Sequence, residues 1–229
     1  IPLDEYPKRC VEQIARWKRE AEQLKTANTV ELKESHEYAS QIVNSIQPAL
    51  LALIRRWGAE AVDLGLARDD EADVRRRIET PCDVIVTIGG ASVGDYDVVR
   101  TAFAAEGFEP IFEKIAVKPG KPTWFSAQGR RLVLGLPGNP AAAMVTAQLF
   151  LRPLIDTLAS ADAAPRTPQR AHTTTGLPAA GNREEYLRAI LSIGVDGAAR
   201  VTAAENQDSS LLSPFLTANA LIRRPPGAP

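Results

Sequence analysis

The chain has 229 residues, of which 45% are hydrophobic, a length and composition that suit one large domain or two smaller ones. Its formal net charge of −1 argues against a general nucleic-acid binder, so we expect no nucleic-acid partner. The cysteines, Cys10 and Cys82, cannot build a disulfide framework or a paired-cysteine zinc site, which favours a reducing, cytoplasmic compartment. Residues 1–30 are strongly charged and no apolar run could span a bilayer, so we expect neither a signal peptide nor a membrane partner.

Residues 1–40 are rich in charge and in helix-forming side chains. Val11, Ile14 and Leu24 recur near helical spacing, which predicts an amphipathic helix, and a second helical piece is expected at about 30–40. We interpret residues 1–40 as a helical N-terminal segment of unclear origin.

Predicted strands and helices alternate from residue 41 to residue 160. We predict strands at 41–45, 60–66, 83–88 and 110–117, helices at 48–57, 69–79, 97–105 and 140–158, and a hairpin at 123–136 that turns at Gln128–Gly129. This alternation predicts an α/β domain over 41–160, with a three-layer, mostly parallel sheet that carries helices on both faces. Loops at the carboxyl ends of its strands are the expected ligand site.

The last part of the chain has a different pattern. Residues 159–181 are rich in Ala, Pro and Thr and are predicted to be a linker with one edge strand. Short strands and turns follow from residue 184. We therefore predict a small C-terminal β domain over 161–229, a partial barrel or sandwich.

The first unusual loop, TIGGASVGDYD (87–97), directly follows a predicted buried strand. Glycines at that place let backbone N–H groups approach an anion, and the N-terminus of the next helix adds positive charge. The loop matches neither the P-loop pattern nor GxGxxG. An anion-binding loop and a plain glycine turn both remain open on this pattern.

Acidic residues accompany this loop and one other strand end. Asp95 and Asp97 stand beside the predicted anion site, where carboxylates require a divalent cation to avoid repulsion. The alternative is that one of them caps the next helix. Asp69 and Asp70 follow the predicted strand 60–66, where they are either first-turn helix acids or part of the same sheet edge.

Two further loops also end predicted strands. KPGKP (118–122) places Lys118 and Lys121 on a proline-restricted backbone, which suits phosphate or another oxyanion; an exposed basic turn is the alternative. GLPGNP (135–140) leads into a helix with Asn139 as its predicted N-cap. Its glycines indicate that the backbone lies close to another group. The alternative is that the loop only caps the helix.

Together, TIGGASVGDYD, AVKPGKPTWF and LGLPGNPAAAMVTAQLFLRP resemble the molybdopterin molybdotransferase family, the MoeA-type molybdenum insertases that include the gephyrin E-domain. The segment REEYLRAIL…QDSSLLSPFLTANALI resembles that family's terminal β domain, so the resemblance covers about 41–229. It implies a molybdopterin-binding-like fold and a transferase that binds adenylylated molybdopterin, inserts molybdate and releases AMP. It also implies Mg²⁺ as cofactor, a homodimer, and other molybdenum-cofactor proteins as partners.

The resemblance further implies roles for individual residues. Lys118 and Lys121 would face phosphate or molybdate, and Asp97 and Asp69 would be catalytic carboxylates that bind Mg²⁺. The residues implied to bind the pterin nucleotide are Gly89, Gly90, Ser92, Gly94, Pro119, Gly120, Pro137, Gly138, Asn139 and Ser209. Ser210 is the alternative to Ser209.

One departure from the family leaves two rival hypotheses. Nothing in residues 1–40 resembles the family's N-terminal domains, so we expect a member that lacks them. The first rival is a non-catalytic scaffold that binds molybdopterin and nucleotide. The second is Mog-type adenylylation of molybdopterin, although the KPGKP and PGNP motifs and the terminal β domain favour the insertase.

Overall fold

The computed structural model of this protein describes residues 46–68, 70–89, 98–160 and 167–228. Its elements are α1 (Ile46–Arg56), α2 (Glu71–Ile78), β1 (Val84–Ile88), α3 (Val98–Ala105), β2 (Glu109–Phe112), β3 (Val117–Lys118), β4 (Trp124–Gln128), β5 (Arg131–Leu136), α4 (Pro140–Thr146), α5 (Arg152–Ala159), β6 (His172–Thr173), β7 (Glu184–Ile193), β8 (Ala199–Ala203) and β9 (Ala220–Arg224). A π-helical turn, Ala147–Leu151, joins α4 to α5, and a 3₁₀ turn, Ser213–Leu216, precedes β9. Both sheets belong to one compact unit, residues 50–229. The elements predicted within 1–45 lie outside the described residues.

The first sheet has the strand order β1-β5-β4-β2. β5 is buried at four consecutive residues, Val133–Leu136, so both of its faces are covered. The predicted α/β architecture is therefore confirmed. The described strands form a mixed rather than mostly parallel sheet, because only β1 and β5 run parallel, while β4 is antiparallel to both β5 and β2.

One face of this sheet is packed by aromatic side chains from the hairpin and from α3. The ring of Phe103 meets the rings of Phe108 and Trp124 edge-on, with centroid distances of 5.1 and 5.7 Å. Trp124 is only 2% exposed and lies over Gly135, where an added Cβ would overlap its indole. Glycine at 135 thus makes room for the tryptophan that fixes the strand leading into the PGNP loop.

The strand predicted at 60–66 is wrong, because residues 59–68 have no strand structure. The side chain of Asp63 accepts a hydrogen bond from the Gly65 N–H at 2.7 Å, and Gly65 has a φ of +70°. Arg77 of α2 donates to the carbonyl oxygens of Leu64 and Leu66. A local turn and a basic side chain therefore take the hydrogen-bonding groups that a strand would have used.

The prediction of a single strand at 110–117 is also wrong, because this segment forms two strands that belong to different sheets. Its first part is β2, which pairs with β4 in the first sheet. Its last part is β3, which runs parallel to β7 in the second sheet. The KPGKP loop that follows β3 is therefore attached to the second sheet, although it precedes the hairpin of the first.

The second sheet has the order β3-β7-β8-β6, and β9 pairs with the opposite edge of β7. It confirms the predicted C-terminal β domain. Two side-chain amides extend the pairing of β7. Gln207 bonds the backbone N–H and C=O of Arg188 at 3.0 and 2.9 Å, and Asn219 bonds those of Leu191 at 2.7 and 3.0 Å. Each amide substitutes for one residue of a neighbouring strand.

Candidate functional site

A cavity of about 750 Å³ opens beside the carboxyl ends of β1, β3 and β5. The described parts of the three unusual loops supply one wall: Gly89, Lys118, Pro119, Gly120, Lys121, Pro122, Pro137, Gly138 and Asn139. The second sheet and its loops supply the other wall: Arg183, Tyr186, Leu187, Arg188, Gln207 and Ser209. Every predicted site residue that the structure describes therefore borders this cavity.

Two of the loops meet backbone to backbone at their glycines. Gly89 follows β1 with a φ of +79°, and its N–H donates to the carbonyl of Leu136 at 3.0 Å. A Cβ added to Gly138 would lie 3.5 Å from the Cα of Gly89. This packing leaves the cavity floor as peptide backbone, which can approach a ligand closely.

The KPGKP loop is fixed at its centre by α4. Gly120 is buried with a φ of +128°, and an added Cβ would overlap the Cγ2 methyl of Thr146. The hydroxyl of Thr123 donates to the carbonyl of Gly120 at 2.7 Å. The peptide bond between Lys118 and Pro119 is cis. The contacts of Gly120 with Thr146 and Thr123 hold the backbone from which the two lysines extend.

The two lysines of this loop have different surroundings. Lys118 Nζ donates to Glu185 Oε1 at 3.0 Å, although the Lys118 side chain is 59% exposed. Lys121 is exposed, and its ammonium group has no hydrogen-bond or ion-pair partner among the described residues. One ammonium group is therefore held, and the other is available to a ligand.

Asn139 occupies the N-cap position of α4 but does not cap it through its side chain. Its amide Nδ2 donates instead to Ser209 Oγ at 3.1 Å. The N–H of Ala141, which a capping side chain would have served, donates to the carbonyl of Ser209 at 2.9 Å. The predicted cap is therefore correct in position and wrong in its bonding.

The structure also places Ser209 and Ser210 differently. Ser209 lines the cavity, whereas Ser210 bonds the carboxylate of Asp208 through both its N–H and its hydroxyl, each at 2.8 Å. These bonds contribute to holding the pKa of Asp208 below its usual value, chiefly through the backbone N–H. Of the two serines, Ser209 is the one that can reach a ligand in the cavity.

Sequence reasoning missed Arg188, a cationic side chain of the cavity wall that is only 1% exposed. Its Nη2 donates to the carbonyl of Asp208 at 3.0 Å, and its guanidinium lies 5.9 Å from the ring centroid of Phe215. It forms no salt bridge with any described carboxylate, and burial lowers its pKa. The available signal was one arginine inside an otherwise apolar strand segment, YLRAIL.

Tyr186 was missed as well. Its hydroxyl donates to Glu184, which also accepts two hydrogen bonds from Arg223, at 2.8 and 3.2 Å. Burial, and then the Glu184 carboxylate, raise the pKa of Tyr186 to about 12. Tyr186 thus presents a neutral aromatic side chain to the cavity at physiological pH.

Charge is distributed unevenly around the cavity. The described lining holds four cationic side chains, Lys118, Lys121, Arg183 and Arg188, and no carboxylate. Lysine ammonium and arginine guanidinium groups bind phosphate and related oxyanions through charge-assisted hydrogen bonds. The described wall therefore suits an anionic ligand.

The predicted metal ligands cannot be placed. Asp69 and Asp97 lie outside the described residues, as do Gly90, Ser92 and Gly94 of the glycine-rich loop. Within 46–68, 70–89, 98–160 and 167–228, no group of three or more His, Cys, Asp or Glu side chains could hold a metal ion. The predicted magnesium ligands therefore stay a prediction.

Two family models match the chain. The probable molybdopterin binding domain matches residues 29–157, and the MoeA C-terminal region (domain IV) matches residues 170–229. Molybdopterin molybdenumtransferase of Haemophilus influenzae is 32% identical over 188 residues, which are 80% of this chain and 46% of that protein. Molybdopterin molybdenumtransferase 2 of Mycobacterium tuberculosis is 33% identical over 66% of this chain and 39% of its own length.

Solved structures give the same picture. The crystal structure of the molybdopterin biosynthesis MoeA protein from Pyrococcus horikosii aligns with a TM-score of 0.63 and 25% identity, covering 80% of this chain and 44% of that one. The chain thus spans less than half the length of these relatives.

Each helix in the described part of the chain is too short or too polar to cross a membrane.

Proposed function

Because the chain belongs to the MoeA-type molybdopterin molybdenumtransferase family, we propose that it acts in molybdenum cofactor synthesis, inserting molybdate into adenylylated molybdopterin with release of AMP. The observation that carries this proposal is the cavity wall with four cationic side chains and no described carboxylate. Molybdate, AMP and the nucleotide phosphates are all oxyanions, which such a wall would attract.

The proposed roles follow from the surroundings of each group. Lys121, exposed and unpartnered among the described side chains, would bind the phosphate or molybdate directly. Lys118 and buried Arg188 would add fixed positive charge, and the glycine backbone at Gly89 would approach the nucleotide phosphate. No side-chain nucleophile is required, because catalysis would rest on positioning the reactants and neutralising their charge.

Magnesium is the proposed divalent cation, with Asp69 and Asp97 as its ligands. The cationic wall would repel a divalent cation, so its binding would depend on Asp69 and Asp97, which lie outside the described residues. The ion would neutralise phosphate charge when bound. Magnesium dependence that is lost in Asp97→Asn is the observation that would support these ligands.

Calorimetric titration of the purified chain with AMP and with molybdate, each with and without Mg²⁺, tests the proposed site. We expect Lys121→Ala to weaken binding about tenfold, or about 1.4 kcal/mol. Lys114→Ala is the matched control, because Lys114 is also exposed, makes the same change of net charge and does not line the cavity. Equal affinities for the two variants, both folded, would remove Lys121 from the proposal.

Turnover distinguishes the insertase from its two rivals. Release of AMP from adenylylated molybdopterin, dependent on molybdate, would support the insertase. Binding without release would support the scaffold, and ATP consumption dependent on molybdopterin would support adenylylation. Homodimer formation, a cytoplasmic location and domain boundaries at residues 41 and 161 stay predictions, of which light scattering of the purified chain tests the first.

A further inference from the structure

Lys118, Glu185 and Arg224 are neighbours on three adjacent strands of the second sheet. Lys118 pairs with Glu185 between β3 and β7, and Glu185 pairs with Arg224 between β7 and β9. Glu185 accepts a hydrogen bond from Lys118 Nζ on Oε1 at 3.0 Å and from Arg224 Nη1 on Oε2 at 3.2 Å. One carboxylate therefore bridges two cations, with a different oxygen facing each.

Burial changes along this row of side chains. Glu185 and Arg224 are each only 5% exposed, whereas the Lys118 side chain is 59% exposed and borders the cavity. A carboxylate is costly to bury unless it is well paired, and Arg224 supplies a buried partner. The paired carboxylate thus holds an ammonium group that faces a ligand space.

We propose that Glu185 and Arg224 are positioning residues for Lys118, which fix its ammonium group at the cavity wall without cancelling its charge. Glu185 is shared between Lys118 and Arg224, so Lys118 does not hold this carboxylate alone. Without Arg224, Glu185 would neutralise Lys118 alone, and the cavity would attract anions less strongly. This inference rests on the proposed function for the identity of the anion.

The loop itself provides a comparison for this proposal. Lys121 lies three residues after Lys118, and its ammonium group has no partner among the described residues. If Glu185 fixes Lys118, the two ammonium groups must differ in hydrogen exchange even without a ligand. If Lys118, Glu185 and Arg224 merely stabilise the sheet, removing Arg224 should lower the stability of the fold. Its effect on ligand binding should then be the same whether or not Lys118 is present.

The first arm of the experiment needs no ligand. In the full chain labelled with ¹⁵N-lysine, we expect the Nζ protons of Lys118 to exchange about tenfold more slowly than those of Lys121, because the former donate a charge-assisted hydrogen bond. Glu185→Gln should reduce that difference, because the glutamine oxygen still accepts but carries no charge. Asp196→Asn, which breaks the exposed Asp196–Arg200 ion pair of the same sheet, should preserve it. Equal exchange of the two lysines in the unmodified chain would overturn the proposal.

The second arm is a titration with molybdate. We expect Arg224→Met to weaken binding about tenfold, which corresponds to about 1.4 kcal/mol, and Arg224→Lys to recover most of it. In the Lys118→Ala background, Arg224→Met should have no further effect. The same weakening in both backgrounds would mean that Arg224 acts on the fold rather than on Lys118, and would overturn the proposal.

The two arms separate this inference from the proposed function. If the unmodified chain binds no molybdate while Lys118 exchanges slowly, the proposed function fails and the positioning of Lys118 stands. If Arg224→Met does not fold, the double variant Glu185→Leu/Arg224→Met replaces the buried pair with apolar side chains, which proteins often tolerate. Its Lys118 protons should then exchange as fast as those of Lys121, and persistent slow exchange would contradict the proposal.

Discussion

Asn139 donates a hydrogen bond from Nδ2 to the hydroxyl of Ser209 at 3.1 Å, joining the PGNP loop of the first sheet to a loop of the second. The carbonyl of Ser209 also accepts from the N–H of Ala141 at 2.9 Å. An N–H at the start of α4, which has no partner within its helix, is thus satisfied by a residue far along the chain. The two walls of the cavity are tied together at this point.

We expect Ser209→Ala to weaken AMP or molybdate binding about tenfold, because the hydroxyl both lines the cavity and orients Asn139. The effect on the free energy of unfolding should stay below about 1 kcal/mol, since the lost hydrogen bond is exposed and the backbone bond to Ala141 remains. Calorimetry and urea unfolding measure the two quantities. Ser210→Ala is the control, and equal loss of affinity in both variants would contradict a specific role for Ser209.

Local chemistry explains which parts of this structure could be predicted from the sequence. The hairpin at 123–136 and the helix that begins at Pro140 depend on neighbouring residues: a Gly129 turn between two short strands and a proline at the first helical position. The grouping of the loops after β1 and β5 at one cavity followed from the rule that carboxyl ends of parallel strands share an edge. The KPGKP loop borders the same cavity from β3 of the second sheet, which that rule does not cover.

The misses arise from contacts between distant residues. The segment 60–66 has a strand-like composition, yet Arg77 takes two of its carbonyls. Arg188 reads as an exposed strand residue until Gln207 and Asp208 are seen to enclose it. Neither partner could be identified from spacing alone, because each lies more than ten residues away in the sequence.

Gly120 should be the most sensitive position of the KPGKP loop. Gly120→Ala adds a Cβ that overlaps Thr146 on a backbone with a φ of +128°, so we expect the free energy of unfolding to fall by about 3 kcal/mol. Gly129→Ala is the matched control and should cost about 1 kcal/mol, since Gly129 has a φ of +58° and a Cβ added there would meet nothing within 4 Å. Urea unfolding measures both, and similar costs would show that Thr146 yields to the added methyl.

Tyr186 should ionise at a higher pH than an ordinary tyrosine. Its pKa is raised from 10.0 to about 12, so between these values the folded chain keeps a proton that the unfolded chain has lost. Its contribution to stability is therefore complete below pH 10 and is lost as the pH rises towards 12. Tyrosinate absorbance can be recorded as a function of pH, with rapid mixing at each alkaline pH. The titration of the unmodified chain should show one ionisation near pH 12 that is absent in Tyr186→Phe.

Glu184→Gln refines this prediction for Tyr186. Burial is the largest single cause of its raised pKa, and the Glu184 carboxylate adds to it through its hydrogen bond and its charge, so the variant should lower the pKa only part of the way towards 10.0. If the pKa of Tyr186 stays unchanged in Glu184→Gln, the carboxylate has no influence on it. If that pKa falls to the ordinary tyrosine value, burial has no influence on it.

The two side-chain amides that extend the pairing of β7 allow a matched test of the cavity wall. Gln207→Glu replaces an amide that donates to the carbonyls of Arg188 and Ala204 with a carboxylate that would face both oxygens. Asn219→Asp makes the same exchange against the carbonyl of Leu191, away from the cavity. Each substitution should lower the free energy of unfolding by about 1 to 2 kcal/mol. The side-chain NH₂ donor is lost, and the carboxylate oxygen that replaces it faces a backbone carbonyl oxygen, which also can only accept.

Only Gln207→Glu should also weaken binding of AMP or molybdate, because Gln207 lines the cavity and fixes the backbone of Arg188. The added negative charge acts in the same direction, so we expect a loss of at least about tenfold in calorimetry. Gln207→Met separates the two causes, since it breaks the amide bonds without adding charge. Unchanged affinity in Gln207→Met would mean that Arg188 keeps its place without the amide, and that charge alone accounts for the effect of the glutamate.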